Sequence, residues 1–157
     1  GFGFPGGPAI QKIGEGGDPT KIDLPRPKTK QEYNYSFSGL KTAATNFLNN
    51  LDSEDKVTRS DFAASYQEAI VDSLLSNFVK AVEDTGVKSI SGGGGVMANS
   101  RLREKMNIFA ETKDLNIYLP TPKLSTDNAA MICVAAQNNL ITNDINTDDV
   151  RLSSIIV

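Results

Sequence analysis

The chain has 157 residues, 39% of them hydrophobic, enough for one substantial core and too few for two large domains. A formal net charge of −3 excludes a surface that is basic all over, so any nucleic-acid contact has to be local or supplied by a partner. The absence of histidine excludes a self-contained His-based catalytic site and removes the commonest transition-metal ligand, while the single Cys133 excludes an internal disulfide and fits a reducing setting.

Gly1 to Pro8 is a glycine and proline cluster, followed by a short helix predicted from Ala9 to Ile13 that Gly14 to Pro19 closes. This opening reads either as entry into the middle of a larger fold or as a flexible terminus. Lys21 to Lys30 carries Lys21, Arg26, Lys28 and Lys30 around two prolines. Proline fixes φ and removes donors, so the stretch predicts a loop or edge segment, either a solvated crossing or an RNA-facing arm. Tyr33 to Phe37 alternates like a short strand. Ser36 or Ser38 could then cap a helix from about Gly39 to Leu51, with Leu40, Ala44, Phe47, Leu48 and Leu51 on one face. After a polar loop over Asp52 to Thr58, Ser60 or Asp61 would cap the longest helix, roughly Phe62 to Asp84. Tyr66, Ile70, Leu74, Phe78 and Val82 recur there at helical spacing, and Val71, Leu75 and Val79 widen the stripe, which predicts burial against a sheet.

Gly86 ends that helix, and Val87 to Ser91 predicts a strand running into Gly92-Gly93-Gly94-Gly95-Val96-Met97-Ala98-Asn99. Four glycines let the backbone take positive φ and approach a ligand closely. A helix beginning at about Ala98 would aim its free N–H groups at an anion such as a phosphate; the competing reading of the glycines is a linker. That helix carries Leu102, Met106 and Phe109 on one side and Arg101, Arg103, Glu104 and Lys105 on the other. Asn116 to Leu119 is the next strand, stopped by Pro120 and Pro122. The alternation of helix, strand, glycine turn, helix, strand and helix predicts an α/β fold with parallel strands. Ser125-Thr126-Asp127-Asn128 then opens a helix with its body from Met131 to Leu140. Asp127 reads as an N-cap or as a carboxylate at the carboxyl edge of the sheet, where ligands of α/β folds bind. Thr142 to Val157 is an acidic loop ending in an apolar run. No stretch is apolar enough to span a bilayer and no charged-then-apolar leader opens the chain, so a cytoplasmic protein with no membrane partner is expected.

Pro5-Gly6-Gly7-Pro8, Ser36-Phe37-Ser38-Gly39-Leu40-Lys41-Thr42, the run Gly94 to Arg103 and Ser125-Thr126-Asp127-Asn128-Ala129-Ala130-Met131 occur in order. With them the chain resembles, from Phe4 to about Leu140, the C-terminal half of the TsaD family, also called the Gcp or O-sialoglycoprotein endopeptidase family. The resemblance implies the C-terminal lobe of an actin-like, sugar-kinase-like fold with a small helical and loop insertion. Residues 1–17 would be an interlobe segment, 18–60 the insertion, 61–141 the lobe core and 142–157 a tail. It implies transfer of a threonylcarbamoyl group from threonylcarbamoyl-adenylate to the N6 amine of the adenosine next to the anticodon of tRNA. By the same resemblance Gly7, Gly94 and Gly95 lie against the adenylate. Asn99 hydrogen-bonds its adenine or ribose, Gln11 stands where many relatives place an acidic residue on the ribose, and Asp127 ligates a divalent metal, iron or zinc. Two histidines from the N-terminal lobe would complete that metal site. Implied partners are tRNA, that lobe, and accessory proteins of the pathway, TsaB-like and TsaE-like or in a KEOPS-like complex. A noncatalytic nucleotide-binding scaffold derived from the lobe is the alternative, and a sugar-kinase-like phosphotransferase would leave Ser125 to Met131 unexplained.

Overall fold

The computed structural model describes residues 3–51 and 57–142. Its order is α1 (Gly6–Gly14), α2 (Ser38–Asn49), α3 (Arg59–Thr85), β1 (Ser89–Ser91), a one-turn 3₁₀ helix (Gly95–Ala98), α4 (Ser100–Thr112), β2 (Asn116–Tyr118), α5 (Pro122–Ser125) and α6 (Ala129–Thr142).

The longest helix, α3, joins all three hydrophobic clusters. Phe62 and Ala69 pack with Ile22, Leu24, Leu40 and Ala44; Val71 with Met97, Leu102 and Met106; Val82 with Ile90 and Ala110. Of the predicted stripe, Val71 and Val82 are buried and Tyr66, Ile70, Leu74, Leu75 and Phe78 pack half-buried against the clusters, so its spacing marks the packed face, although helices as well as the sheet cover it. Thr58 caps the helix, not Ser60 or Asp61. Its hydroxyl accepts from the Asp61 N–H at 3.0 Å and the Asp61 carboxylate accepts from the Thr58 N–H at 3.0 Å. Asp61 is the third helical residue reaching back, which is the role a carboxylate plays in this reciprocal cap. It also accepts from the Asp18 N–H at 2.9 Å, and this bond, followed by those from Thr58, holds its carboxyl below the usual range. Gly86 ends α3 at φ +65°.

The α1 helix starts earlier than predicted, at Gly6, and its exit loop lies directly on the first turn of α3. A Cβ on Gly17 would stand 2.3 Å from the Ser60 carbonyl oxygen, so only glycine permits this approach. The Lys21 to Lys30 segment is not merely a solvated crossing. Ile22 and Leu24 are buried, and the Ile22 N–H donates to the Ser65 hydroxyl at 3.2 Å. The strand expected over Tyr33 to Phe37 shrinks to one isolated antiparallel bridge between Lys28 and Tyr35. Tyr33 sits at φ +64°, which breaks the alternation. Its hydroxyl donates to Asp84 at 2.6 Å, and the Tyr35 hydroxyl donates to the Leu74 carbonyl at 3.1 Å, so the segment clasps α3. The α2 helix is preceded by Phe37 at the cap position, because the Ser36 and Ser38 hydroxyls bond each other at 3.2 Å and cap nothing. Leu40 and Ala44 of its predicted face are buried, whereas Leu48 and Leu51 are exposed.

The β1–α4–β2 unit forms a two-stranded parallel sheet with Ser89 opposite Asn116, Ile90 opposite Ile117 and Ser91 opposite Tyr118. Leu102, Met106 and Ala110, four residues apart, are the buried face of α4. The architecture is mixed α/β with a small parallel sheet, as the element order predicts. By contrast α6 exposes Met131, Ile132, Cys133 and Val134. No helix among the described residues is long and apolar enough to cross a membrane. The expected tail over 143–157 and most of the loop between α2 and α3 lie outside the described residues.

Candidate functional site

The glycine run leaves the sheet with one more ladder bond, from the Gly92 N–H to the Tyr118 carbonyl at 3.2 Å. Gly94 then turns at φ +89°, a conformation other residues rarely adopt. The chain next closes a single 3₁₀ turn, with the Met97 N–H on the Gly94 carbonyl at 3.0 Å and Met97 buried. The helix expected from about Ala98 starts two residues later, because Asn99 is extended (φ −67°, ψ 123°) and serves as the N-cap of α4. Its Oδ1 accepts from the Leu102 N–H at 2.9 Å. The Ser100 N–H donates to Gln11 Oε1 at 3.0 Å. Two of the amides that a simple anion cradle would present are thus satisfied by side chains of the chain itself.

Asn99 is held from its other side as well. Its Nδ2 donates to Gln67 Oε1 of α3 at 2.8 Å. Beside Gln67, Glu68 accepts both Arg101 Nε at 2.8 Å and Arg101 Nη2 at 2.9 Å, and Arg101 Nη1 donates to Glu104 at 2.7 Å. Lys105 bridges Glu68 and Asp72, and Arg26 donates to Asp72 at 3.0 Å. Hydrogen bonds from Arg101 dominate in pushing the Glu68 carboxyl down to about 2; burial opposes them and Lys105 adds to them. The same bonds, first with Glu68 and then with Glu104, raise the Arg101 guanidinium. Arg26, Arg101 and Lys105 are therefore engaged internally. Lys21, Lys28, Lys30 and Lys41 make no ion pair among the described residues.

Gly7 and Gln11 occupy successive turns on one face of α1, and a Cβ on Gly7 would meet only open space. Gln11 therefore joins Asn99 at the α4 start. The glycine turn also meets the segment that carries Asp127: a Cβ on Gly95 would lie 3.7 Å from the Thr126 methyl. Asp127 itself is exposed and is not the helix cap. Asn128 Oδ1 takes that role, accepting from the Met131 N–H at 3.1 Å, and the Asp127 carboxylate has no hydrogen-bond or ion-pair partner among the described residues. No three His, Cys, Asp or Glu side chains gather to hold a metal among the described residues. One carboxylate does not hold a transition metal, so the residues present do not make a metal site by themselves. On the inner side of the turn, a cleft of about 340 Å³ is lined by Tyr35, Leu74, Phe78, Met97, Leu102 and Met106, an apolar floor under the glycines.

Sequence reasoning missed Gln67 and Glu68. The available signal was two polar residues between the core positions Tyr66 and Ala69 of a stripe otherwise read as packing.

Residues 1–134 match the family described as TsaD: tRNA N6-adenosine threonylcarbamoyltransferase. The chain is 43% identical over 135 residues to a protein of that name from Symbiobacterium thermophilum, covering 86% of this chain and 40% of the relative. A Thermosipho africanus protein of the same name is 44% identical over 136 residues, covering 86% and 41%. For one from Kosmotoga olearia the identity is 41% over 160 residues, covering 99% and 47%. The chain therefore spans about two fifths to one half the length of these relatives. The ordered motifs, the α/β unit that presents them and this match over most of its length establish that the chain belongs to the TsaD family.

Proposed function

We propose that the chain is the C-terminal lobe of a cytoplasmic tRNA threonylcarbamoyl transferase with the actin-like, sugar-kinase-like fold. The observation that carries this reading is the convergence of Gln11, the Gly94–Gly95 turn, Asn99 and the Asp127 segment around the start of α4. In this reading the open backbone at Gly7 and Gly94, with Gly95 completing the turn, takes the adenylate. Gln11 has spent its oxygen on Ser100 and offers its Nε2 hydrogens to the ribose. Asn99 offers an Nδ2 hydrogen to the adenine or ribose. Asp127, whose carboxylate has no partner among the described residues, would supply one ligand, and two histidines of the N-terminal lobe would complete the set. The iron or zinc held there would polarise the carbamoyl phosphate anhydride. The adenine N6 lone pair forms the new bond to the carbamoyl carbon, the carbon–oxygen bond to phosphate breaks, and adenosine monophosphate leaves as N6 gives up a proton.

Lys21, Lys28, Lys30 and Lys41, with no ion pair among the described residues, are local basic groups available to tRNA. The exposed face of α6 with Met131, Ile132 and Val134 suits packing by the N-terminal lobe. TsaB-like and TsaE-like proteins, or a KEOPS-like assembly, would be the accessory partners. The test is transfer of labelled threonylcarbamoyl from its adenylate to tRNA by the complete protein with those accessory proteins. Label in the tRNA that is lost in Asp127→Ala supports the reading. A complete protein that binds adenylate yet transfers no label is instead the noncatalytic scaffold.

A further inference from the structure

We propose that Gln67 is a positioning residue that pins the NH₂ group of the Asn99 carboxamide in one direction, so that Asn99 meets a nucleoside as an N–H donor. The assignment follows from what each neighbour can do. The Leu102 N–H only donates, so the Asn99 atom 2.9 Å from it must be the oxygen. The opposite end is then the NH₂ group, and the Gln67 atom 2.8 Å away must be its oxygen. One Nδ2 hydrogen of Asn99 is spent on Gln67, and the second is the donor left for a ligand.

The two helix segments that carry these amides are tied together. Gln67 lies on α3 next to Glu68, which Arg101 grips through two bonds, so the spacing between α3 and the start of α4 is fixed where the two amides meet. Without the Gln67 oxygen, the Asn99 side chain would be held by its cap bond alone, and its NH₂ group would lose a defined direction. No other side chain bonds the Asn99 Nδ2 among the described residues. The same geometry explains the polar pair between Tyr66 and Ala69 of α3: Gln67 aims the ligand-facing amide and Glu68 holds the helix that carries it.

This inference rests on the reading that Asn99 faces the adenylate, and the test separates the two. Adenosine, which has no phosphate and is indifferent to an added carboxylate charge, is titrated calorimetrically into the complete protein as wild type, Asn99→Ala, Gln67→Leu and Gln67→Glu. Melting temperature is recorded for each. Gln67→Leu is expected to weaken adenosine binding by about fivefold, the worth of one hydrogen bond, with little change in melting temperature. Gln67→Glu, which retains an acceptor oxygen, is expected to restore binding to within about twofold of wild type. If Asn99→Ala binds adenosine like wild type, Asn99 does not face the nucleoside and the role of Gln67 falls with it. If Asn99→Ala weakens binding while Gln67→Leu does not, or if Gln67→Glu fails to recover it, Gln67 does not orient Asn99 and the inference alone is overturned.

Discussion

Asn99 and Asp127 flank the same glycine turn but are held very differently. Asn99 caps α4, bonds Gln67 of α3, and adjoins Ser100, whose N–H bonds Gln11 of α1, so three helices meet at one residue pair. Asp127 is exposed, touches none of these groups, and leads into a helix whose apolar side chains face outward. The difference teaches where the fold is complete. Around Asn99 the chain satisfies its own polar groups and buries its own core. From Asp127 onward the described residues present a carboxylate with no partner among them and a helix whose apolar side chains Met131, Ile132 and Val134 are exposed, surfaces suited to contact with another unit.

The largest way to break the comparison is to empty the core beneath the turn. Leu102→Ala removes a side chain packed with Val71, Met97 and Met106 and should cost about 3 kcal/mol in chemical denaturation. Glu68→Gln comes next. It removes the anion that Arg101 and Lys105 share, and a loss of roughly 2 kcal/mol is expected. Its pH signature has a definite sign. The folded-state carboxyl is depressed from 4.5 to about 2, so its contribution is present in full above about pH 5 and is lost as pH falls from about 4.5 through 2. Glu68→Gln should flatten acid unfolding in that window.

A smaller effect sharpens the double role of Asn99. Asn99→Ala should lower stability by about 1 kcal/mol through loss of the cap, whereas Asn99→Asp retains a capping oxygen and should keep the melting temperature. Binding of adenosine should weaken in both, because neither offers the donor. The smallest effect belongs to α6. Ile132→Ser should change the unfolding free energy of this chain by less than about 0.5 kcal/mol, since the side chain is 61% exposed. In the complete protein the same substitution should cost more, and equal costs would refute the covering of α6 by the other lobe.

Legibility in the sequence followed the same division. The periodic apolar positions of α3 and α4 and the strand on either side of α4 are readable because burial imposes a 3.6-residue or short-strand pattern. Helix starts are less so. Thr58, Phe37 and Asn99 hold the cap positions where the sequence points instead to Ser60 or Asp61, to Ser36 or Ser38, and to a helix start at about Ala98, because the choice depends on hydrogen bonds that form only in three dimensions. Tyr33 reads as strand by alternation but adopts positive φ once its hydroxyl reaches Asp84. At the site, the glycine turn is visible as composition and Asn99 by its place after it. Gln67 is not, because its only clue is a polar residue whose partner lies 32 positions away.

The division between a self-contained half and a half awaiting completion is tested most directly by the metal content of the complete protein, by elemental analysis of wild type, Asp127→Ala and Asn99→Ala. One divalent metal per wild-type molecule, lost in Asp127→Ala and retained in Asn99→Ala, is the predicted result. Full metal in Asp127→Ala would contradict it and leave Asp127 as an exposed loop residue beside the Asn128 cap.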